Sequence, residues 1–244
     1  MNNVLMTVIA PHPPIIIPEV GGSELEKVEK TIKGLEDLSK RIVKANPDTV
    51  VIVTPHAVFN PYYFSVYSEE KLKGNFGRFR APGVVLEFDN DIEFIKDLEG
   101  INLIPPGSLL DHGSLVPLYY LNKAGYKSKV VVINYTALGK EEHKNFGRKI
   151  VRAAETIGKK IVVIASGDLS HKSDLEFDNL IVESIKQGNY KPIEDITLEM
   201  RETAAECAFN SLMVALGVVE SKPQNNEVLS YESPFGVGYV VGIL

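Results

Sequence analysis

The run Val8-Ile9-Ala10-Pro11-His12-Pro13-Pro14 constrains this chain more than any other stretch, because an apolar strand stops there on a histidine set among three prolines. Each proline fixes φ and removes a backbone donor, so the imidazole is held at a rigid sheet edge. The same construction returns at Val50-Val51-Ile52-Val53-Thr54-Pro55-His56. Between them runs a helical pattern to about Asn46, with Leu25, Val28, Ile32, Leu35, Leu38, Ile42 and Val43 at helical spacing. Ser23 and Glu26 stand as a capping box at its start. Strand, helix, strand predicts a βαβ unit whose two strands are parallel neighbours, with their carboxyl ends on one edge. Open α/β sheets keep their sites at that edge, so His12 and His56 are expected close together.

The remaining pattern extends this plan. Short strands are expected at Tyr63 to Ser68 and Val84 to Phe88, with Gly74 to Pro82 as a loop over the site. Lys129 to Tyr135 and Lys160 to Ala165 are near-continuous apolar runs, as expected of strands covered on both faces. Helices are expected at Asp91 to Leu98, from Leu110-Asp111-His112 to Lys123, and at Glu141 to Ile157, Asp174 to Gln187 and Ile193 to Leu216, before a terminal strand from Tyr239. No repeat, low-complexity tract or linker interrupts the chain. The expectation is one α/β domain over residues 1–244, with a largely parallel or mixed central sheet flanked by helices on both faces.

Composition narrows the function. A net charge of −6 without a basic stripe argues against a nucleic-acid partner. The single cysteine, Cys207, excludes an internal disulfide framework and, in the helical pattern Ala204-Ala205-Glu206-Cys207-Ala208-Phe209, reads as a buried inert thiol. No basic leader precedes the first strand and no apolar run approaches the ~20 residues that span a bilayer, so a cytoplasmic protein with no membrane partner is expected. Homodimers are common at this size.

Of five histidines, His12, His56, His112 and His171 stand in loops after strands or helix breakers, whereas His143 lies on a charged helix start and reads as exposed. Clustered imidazoles repel once charged and need partners when neutral, so four at one edge point to a metal or a catalytic role. Two imidazoles and a carboxylate make the facial triad of non-haem Fe(II), and a His/His/Glu set also suits catalytic Zn²⁺. His12 and His56 supply the nitrogens; the carboxylate is Glu232, Asp168 or Asp111. Asp111-His112 and Asp168-Leu169-Ser170-His171 each place an acid near a histidine, as a general base and its orienting partner require. Neither Ser166 nor Ser170 lies in a nucleophile elbow, and no dinucleotide or phosphate-loop motif is present.

Ala10-Pro11-His12-Pro13-Pro14, Thr54-Pro55-His56, Asp111-His112-Gly113-Ser114-Leu115-Val116-Pro117-Leu118, Ser166-Gly167-Asp168-Leu169-Ser170-His171 and Ser230-Tyr231-Glu232 together resemble the catalytic subunit of class III extradiol ring-cleavage dioxygenases, the LigB-like superfamily. The motifs fall in the family's order from near one end of the chain to near the other. The resemblance implies that His12, His56 and Glu232 hold Fe(II), with Zn²⁺ or Mn²⁺ as alternatives. It implies that His171 is the acid/base taking a proton from the substrate hydroxyl, and that His112 is a donor near bound oxygen or substrate. A small catecholic or related aromatic diol and O₂ are the implied reactants. The phrases around His12 and Tyr231-Glu232-Ser233-Pro234-Phe235-Gly236 look closest to the Memo-like branch of bacteria and archaea, which implies as the alternative a metal-binding protein of non-dioxygenase function, hydrolytic or partner-binding. Memo-like members depart from the carboxylate ligand; a retained Glu232 favours an intact iron site.

Overall fold

The structure, a computed structural model, describes residues 3–220 and 225–244. Strands β1 (Val4–Ala10), β2 (Thr49–Thr54), β3 (Phe64–Tyr67), β6 (Ile101–Ile104), β7 (Lys129–Asn134), β8 (Ile161–Ser166), β9 (Glu227–Glu232) and β10 (Tyr239–Ile243) form a mixed sheet in the order β6-β3-β7-β2-β8-β1-β10-β9. Its centre, β7-β2-β8-β1, is parallel throughout, while β10 runs antiparallel to β1 and β3 antiparallel to β7. The mixed α/β architecture is thus as the sequence predicts. The first two strands are parallel but not neighbours, because β8 is inserted between them and pairs with both. Period-two geometry explains why the central strands are apolar on nearly every residue. Val50 and Ile52 enter one core with helices α2 (Glu29–Ala45) and α4 (His112–Lys123), while Val51 and Val53 enter the other, with α5 (Lys140–Thr156) and α9 (Phe209–Val219).

Of the remaining helices, α1 (Pro18–Gly21), α3 (Ile92–Lys96) and α7 (Lys191–Glu194) are single turns, α6 (Leu175–Gln187) covers β9 and β10, and α8 spans Leu198–Ala204. The first long helix begins later than its pattern suggests: Gly22–Val28 is a 3₁₀ stretch, and the Ser23–Glu26 box does not form. The segment expected as a loop over the site is instead the tip of a hairpin, β4 (Lys71–Phe76) and β5 (Ala81–Asp89), joined through a 3₁₀ turn at Gly77–Phe79. The helix expected over Ile193 to Leu216 is broken twice. Thr197 caps α8 by accepting from the Met200 amide at 3.2 Å, and Ala205 takes the left-handed conformation (φ 54°) that ends it. Cys207 therefore sits in a loop. Among the described residues no helix is long and apolar enough to cross a membrane.

Candidate metal centre and the adjoining cavity

The parallel strands deliver their carboxyl ends to one edge. His12 follows β1, His56 follows β2, and Ser166, Asp168 and His171 end or follow β8. His112 opens α4, whose first turn is drawn onto the end of β2 because Asp111 caps it, accepting from the Ser114 amide at 3.1 Å and the Thr54 hydroxyl at 2.6 Å. Gly113 makes that approach feasible, since a Cβ there would run into the Thr54 hydroxyl. The Asp111 carboxylate is thereby committed to the helix start.

Of the four imidazoles expected at this edge, His12, His56 and His112 meet in ring contact, while His171 stands against Asp168. His12 and His56 bring their Nε2 atoms to 3.1 Å, and His112 stacks on His56 with ring centroids 4.3 Å apart. A hydrogen-bond chain fixes the His12 tautomer. The Ser166 hydroxyl lies 2.5 Å from the Gly113 carbonyl, which can only accept, so Ser166 donates there and its oxygen accepts from His12 Nδ1–H at 2.9 Å. That leaves the Nε2 lone pair of His12 turned toward His56 and Cys207, the orientation that a hydrogen bond on the far ring nitrogen gives a metal-ligating imidazole. Burial, then the neighbouring imidazoles His56, His112 and His171, hold His12 well below the ordinary histidine pKa. Burial also lowers His56, and burial with His56 and Arg78 pushes His112 down to about 4, so the cluster is neutral at pH 7.

Glu232 is not among these donors. Its Oε1 accepts from the amide and hydroxyl of Thr31, at 2.7 and 2.6 Å, in the first turn of α2. The group that stands with the two imidazoles instead is the thiol of Cys207, which the sequence pattern places in a helix interior. Cys207 Sγ lies 3.6 Å from His12 Nε2, and ligand atoms of His12, His56 and Cys207 all fall within 4.8 Å of one another. Cys207 is gripped by the loop after β8: its amide donates to the Asp168 carbonyl at 3.2 Å, and the Asp168 amide points at Sγ, also at 3.2 Å. Gly167 permits this contact, because a Cβ there would fall on the backbone of Ala208. Burial, then Asp168, pushes the thiol far up, toward its protonated form. The only local sequence signal of the break is the capping residue Thr197; Ala205 and Glu206 are helix formers, so the loop that carries Cys207 is not marked by residue type.

Asp168 is 5% exposed, accepts from the His12 amide at 2.8 Å, and is pushed up to about 7 by burial, against the pull of that hydrogen bond. His171 Nε2 stands 4.0 Å from its other oxygen, with a side chain 38% exposed. His143, expected on the surface, is instead fully buried, its Nδ1 donating to the Gly139 carbonyl at 2.8 Å and its ring against Phe64 and Tyr135. It belongs to the packing of α5 on the sheet. Beside His56 and His112 opens a cavity of about 550 Å³, walled by Phe79, Leu110 and Leu115 and bearing Arg78, Asn75 and Ser108.

Residues 6–242 match the family model described as the catalytic LigB subunit of aromatic ring-opening dioxygenase. The chain belongs to the LigB family. Protein CA_C1420 of Clostridium acetobutylicum is 36% identical over 260 residues, covering 96% of this chain and 56% of that protein. A MEMO1 family protein of Sulfolobus acidocaldarius is 26% identical over 71% of this chain and 61% of its own length. The 3,4-dihydroxyphenylacetate 2,3-dioxygenase of Escherichia coli is 25% identical over 66% of this chain and 63% of its own length. This LigB-family chain thus spans between 56% and 63% of these relatives. The crystal structure of the uncharacterized protein JW3007 from Escherichia coli K12 has the same fold, with a TM-score of 0.61 at 13% identity over 98% of this chain and 99% of that one.

Proposed function

We propose that this protein is a metal-dependent oxidoreductase of the dioxygenase type, opening a small aromatic diol with O₂ at an ion held by His12, His56 and Cys207. The observation that carries the proposal is the convergence of two imidazole nitrogens and a thiol, one of whose members, His56, also lines a cavity of about 550 Å³, a volume ordinary for a small-molecule site. The donor set fits a first-row transition metal of borderline to soft character, such as iron or zinc, and differs from the carboxylate-completed triad because Glu232 is engaged elsewhere. The bound ion would supply Lewis acidity and an electron path between diol and O₂. The protein's own groups do the rest. Phe79 and Leu115 offer apolar walls to a ring, Arg78 suits an anionic ring substituent, and His112 stands as a neutral hydrogen-bonding imidazole. Asp168, titrating near 7, and His171 beside it form a pair suited to holding and returning the proton of a substrate hydroxyl.

A second reading, metal binding without dioxygenase chemistry, is favoured by the thiol in the third donor position and by the likeness to a MEMO1 family protein. Anaerobic loading with Fe(II), followed by oxygen uptake against a panel of catechols, decides between them. Substrate-dependent uptake abolished in His56→Ala supports the first reading. Full occupancy by zinc, with no uptake from the iron-loaded protein, supports the second.

A further inference from the structure

The loop that carries Cys207 is held from below by an ion pair with no part in the donor set. Glu206 is 1% exposed in its side chain, and both its oxygens are committed: Oε1 accepts from Arg201 Nε at 2.7 Å, and Oε2 accepts from the Phe209 amide at 2.6 Å. The guanidinium of Arg201 also lies over the Phe209 ring, 4.3 Å from its centroid. Arg201 belongs to the last turn of α8 and Phe209 to the first turn of α9, so one carboxylate ties the end of one helix to the start of the next. The four residues between the helices, Ala205 to Ala208, absorb the reversal, with Ala205 left-handed and Cys207 facing His12. Without the Glu206 carboxylate the first amide of α9 loses its acceptor, and the tie that holds the Cys207 loop against the ends of α8 and α9 is weakened to the Arg201–Phe209 ring contact.

We propose that Arg201 and Glu206 are positioning residues that hold the Cys207 sulfur in register with His12 and His56, and so set metal affinity without touching the metal. The proposal rests on the reading of Cys207 as a metal donor. Supporting groups behind metal ligands typically change affinity by roughly 10–100-fold when removed.

The test is a titration of the metal-free protein with Co²⁺, following the thiolate-to-cobalt absorption band, together with the rate at which iodoacetamide alkylates Cys207 in the absence of metal. Glu206→Ala and Arg201→Ala are expected to weaken Co²⁺ binding by about 10–100-fold, diminish the band and speed alkylation. Glu206→Gln keeps an acceptor for the Phe209 amide and is expected to restore most of both readouts; it also serves if the alanine variant does not fold. A general loss of stability would lower the melting temperature without moving the band. If Glu206→Ala and Glu206→Gln both bind Co²⁺ as the parent does, with an unchanged band, the positioning role is overturned. If Cys207→Ser itself leaves affinity and spectrum unchanged, it is the donor reading that fails, and the proposal falls with it.

Discussion

Strand β2 ends in a buried polar cluster on both sides, and the two are built on opposite electrostatic terms. At its amino end Thr49 donates to the Asp91 carboxylate, which is fully buried, caps α3 through the Phe94 amide, and pairs with Lys159 at 2.7 Å. Burial alone would push Asp91 up, but Lys159, Thr49 and the Phe94 amide outweigh it and hold the carboxyl below the usual range. Lys159 is likewise held up by Asp91 and Glu93 against its own burial. At the carboxyl end burial outweighs the opposing pulls of Asp111 on His56 and of the His12 amide on Asp168. The His12 and His56 rings are driven down, Asp168 and Cys207 are driven up, and these four are pushed toward their neutral forms. The buried cluster at the amino end is charged and internally neutralised, whereas the one at the carboxyl end is neutral and brings two imidazole nitrogens and a thiol within 4.8 Å of one another.

The comparison breaks most visibly if the donors are removed. His12→Ala, His56→Ala and Cys207→Ser should each lose nearly all bound transition metal, measured by elemental analysis of protein purified from metal-supplemented medium, while keeping the fold. Parental metal content in any of the three would remove that residue from the centre. Next in size is His171→Ala, expected to retain metal and to lose about 10²–10⁴-fold in turnover once a substrate is in hand, the span general acid–base groups command. Turnover at the parental rate would place the proton step on another group.

At the opposite end of β2 the expected loss is in stability instead. Asp91→Ala leaves the Lys159 ammonium, 17% exposed, without its main partner and should cost about 3 kcal/mol in urea denaturation, the lower end for breaking a buried pair, with metal content unchanged. Because the Asp91 carboxyl is depressed in the native state, its contribution is complete above the unfolded-state pKa of about 3.9 and is lost as the pH falls through the lower native value. The stability gap between parent and variant should therefore hold from pH 7 down to about 4 and close only in stronger acid. A gap that vanished near pH 6 would mean that imidazoles, not Asp91, control it.

The two clusters also differ in how far the sequence announced them. His12 and His56 were legible because proline ends a strand in a way few other residues do, and a parallel sheet then forces both ends to one edge. His112 was legible for the same reason, through the breaker at Pro105-Pro106-Gly107 and the Asp111 cap. Strand adjacency was not, because a βαβ unit leaves open whether a later strand is inserted, and β8 is. Cys207 was hidden because the apolar repeat from Ile193 to Leu216 is helical in period, and only the cap at Thr197 reveals the break. His143 misled in the other direction: the charges around it lie on the solvent face of α5, and its ring turns inward to the sheet.

Glu232 is where the two kinds of cluster can be told apart at the smallest cost. The α2 helix has Val28 at its amino-terminal cap, which offers no side-chain acceptor, so the orphan amide of Thr31 is met by a carboxylate reaching over from β9. A carboxylate at a helix amino terminus is favoured by the dipole as well as by the hydrogen bond. Glu232→Ala should therefore behave as the loss of a cap, about 1 kcal/mol in denaturation, with bound metal at the parental level. Glu232→Gln keeps an acceptor for the Thr31 amide and should cost less than the alanine change. Loss of metal in both Glu232 variants, with Cys207→Ser unaffected, would reverse the assignment: the carboxylate would have to leave Thr31 for the imidazoles, and the thiol would return to packing.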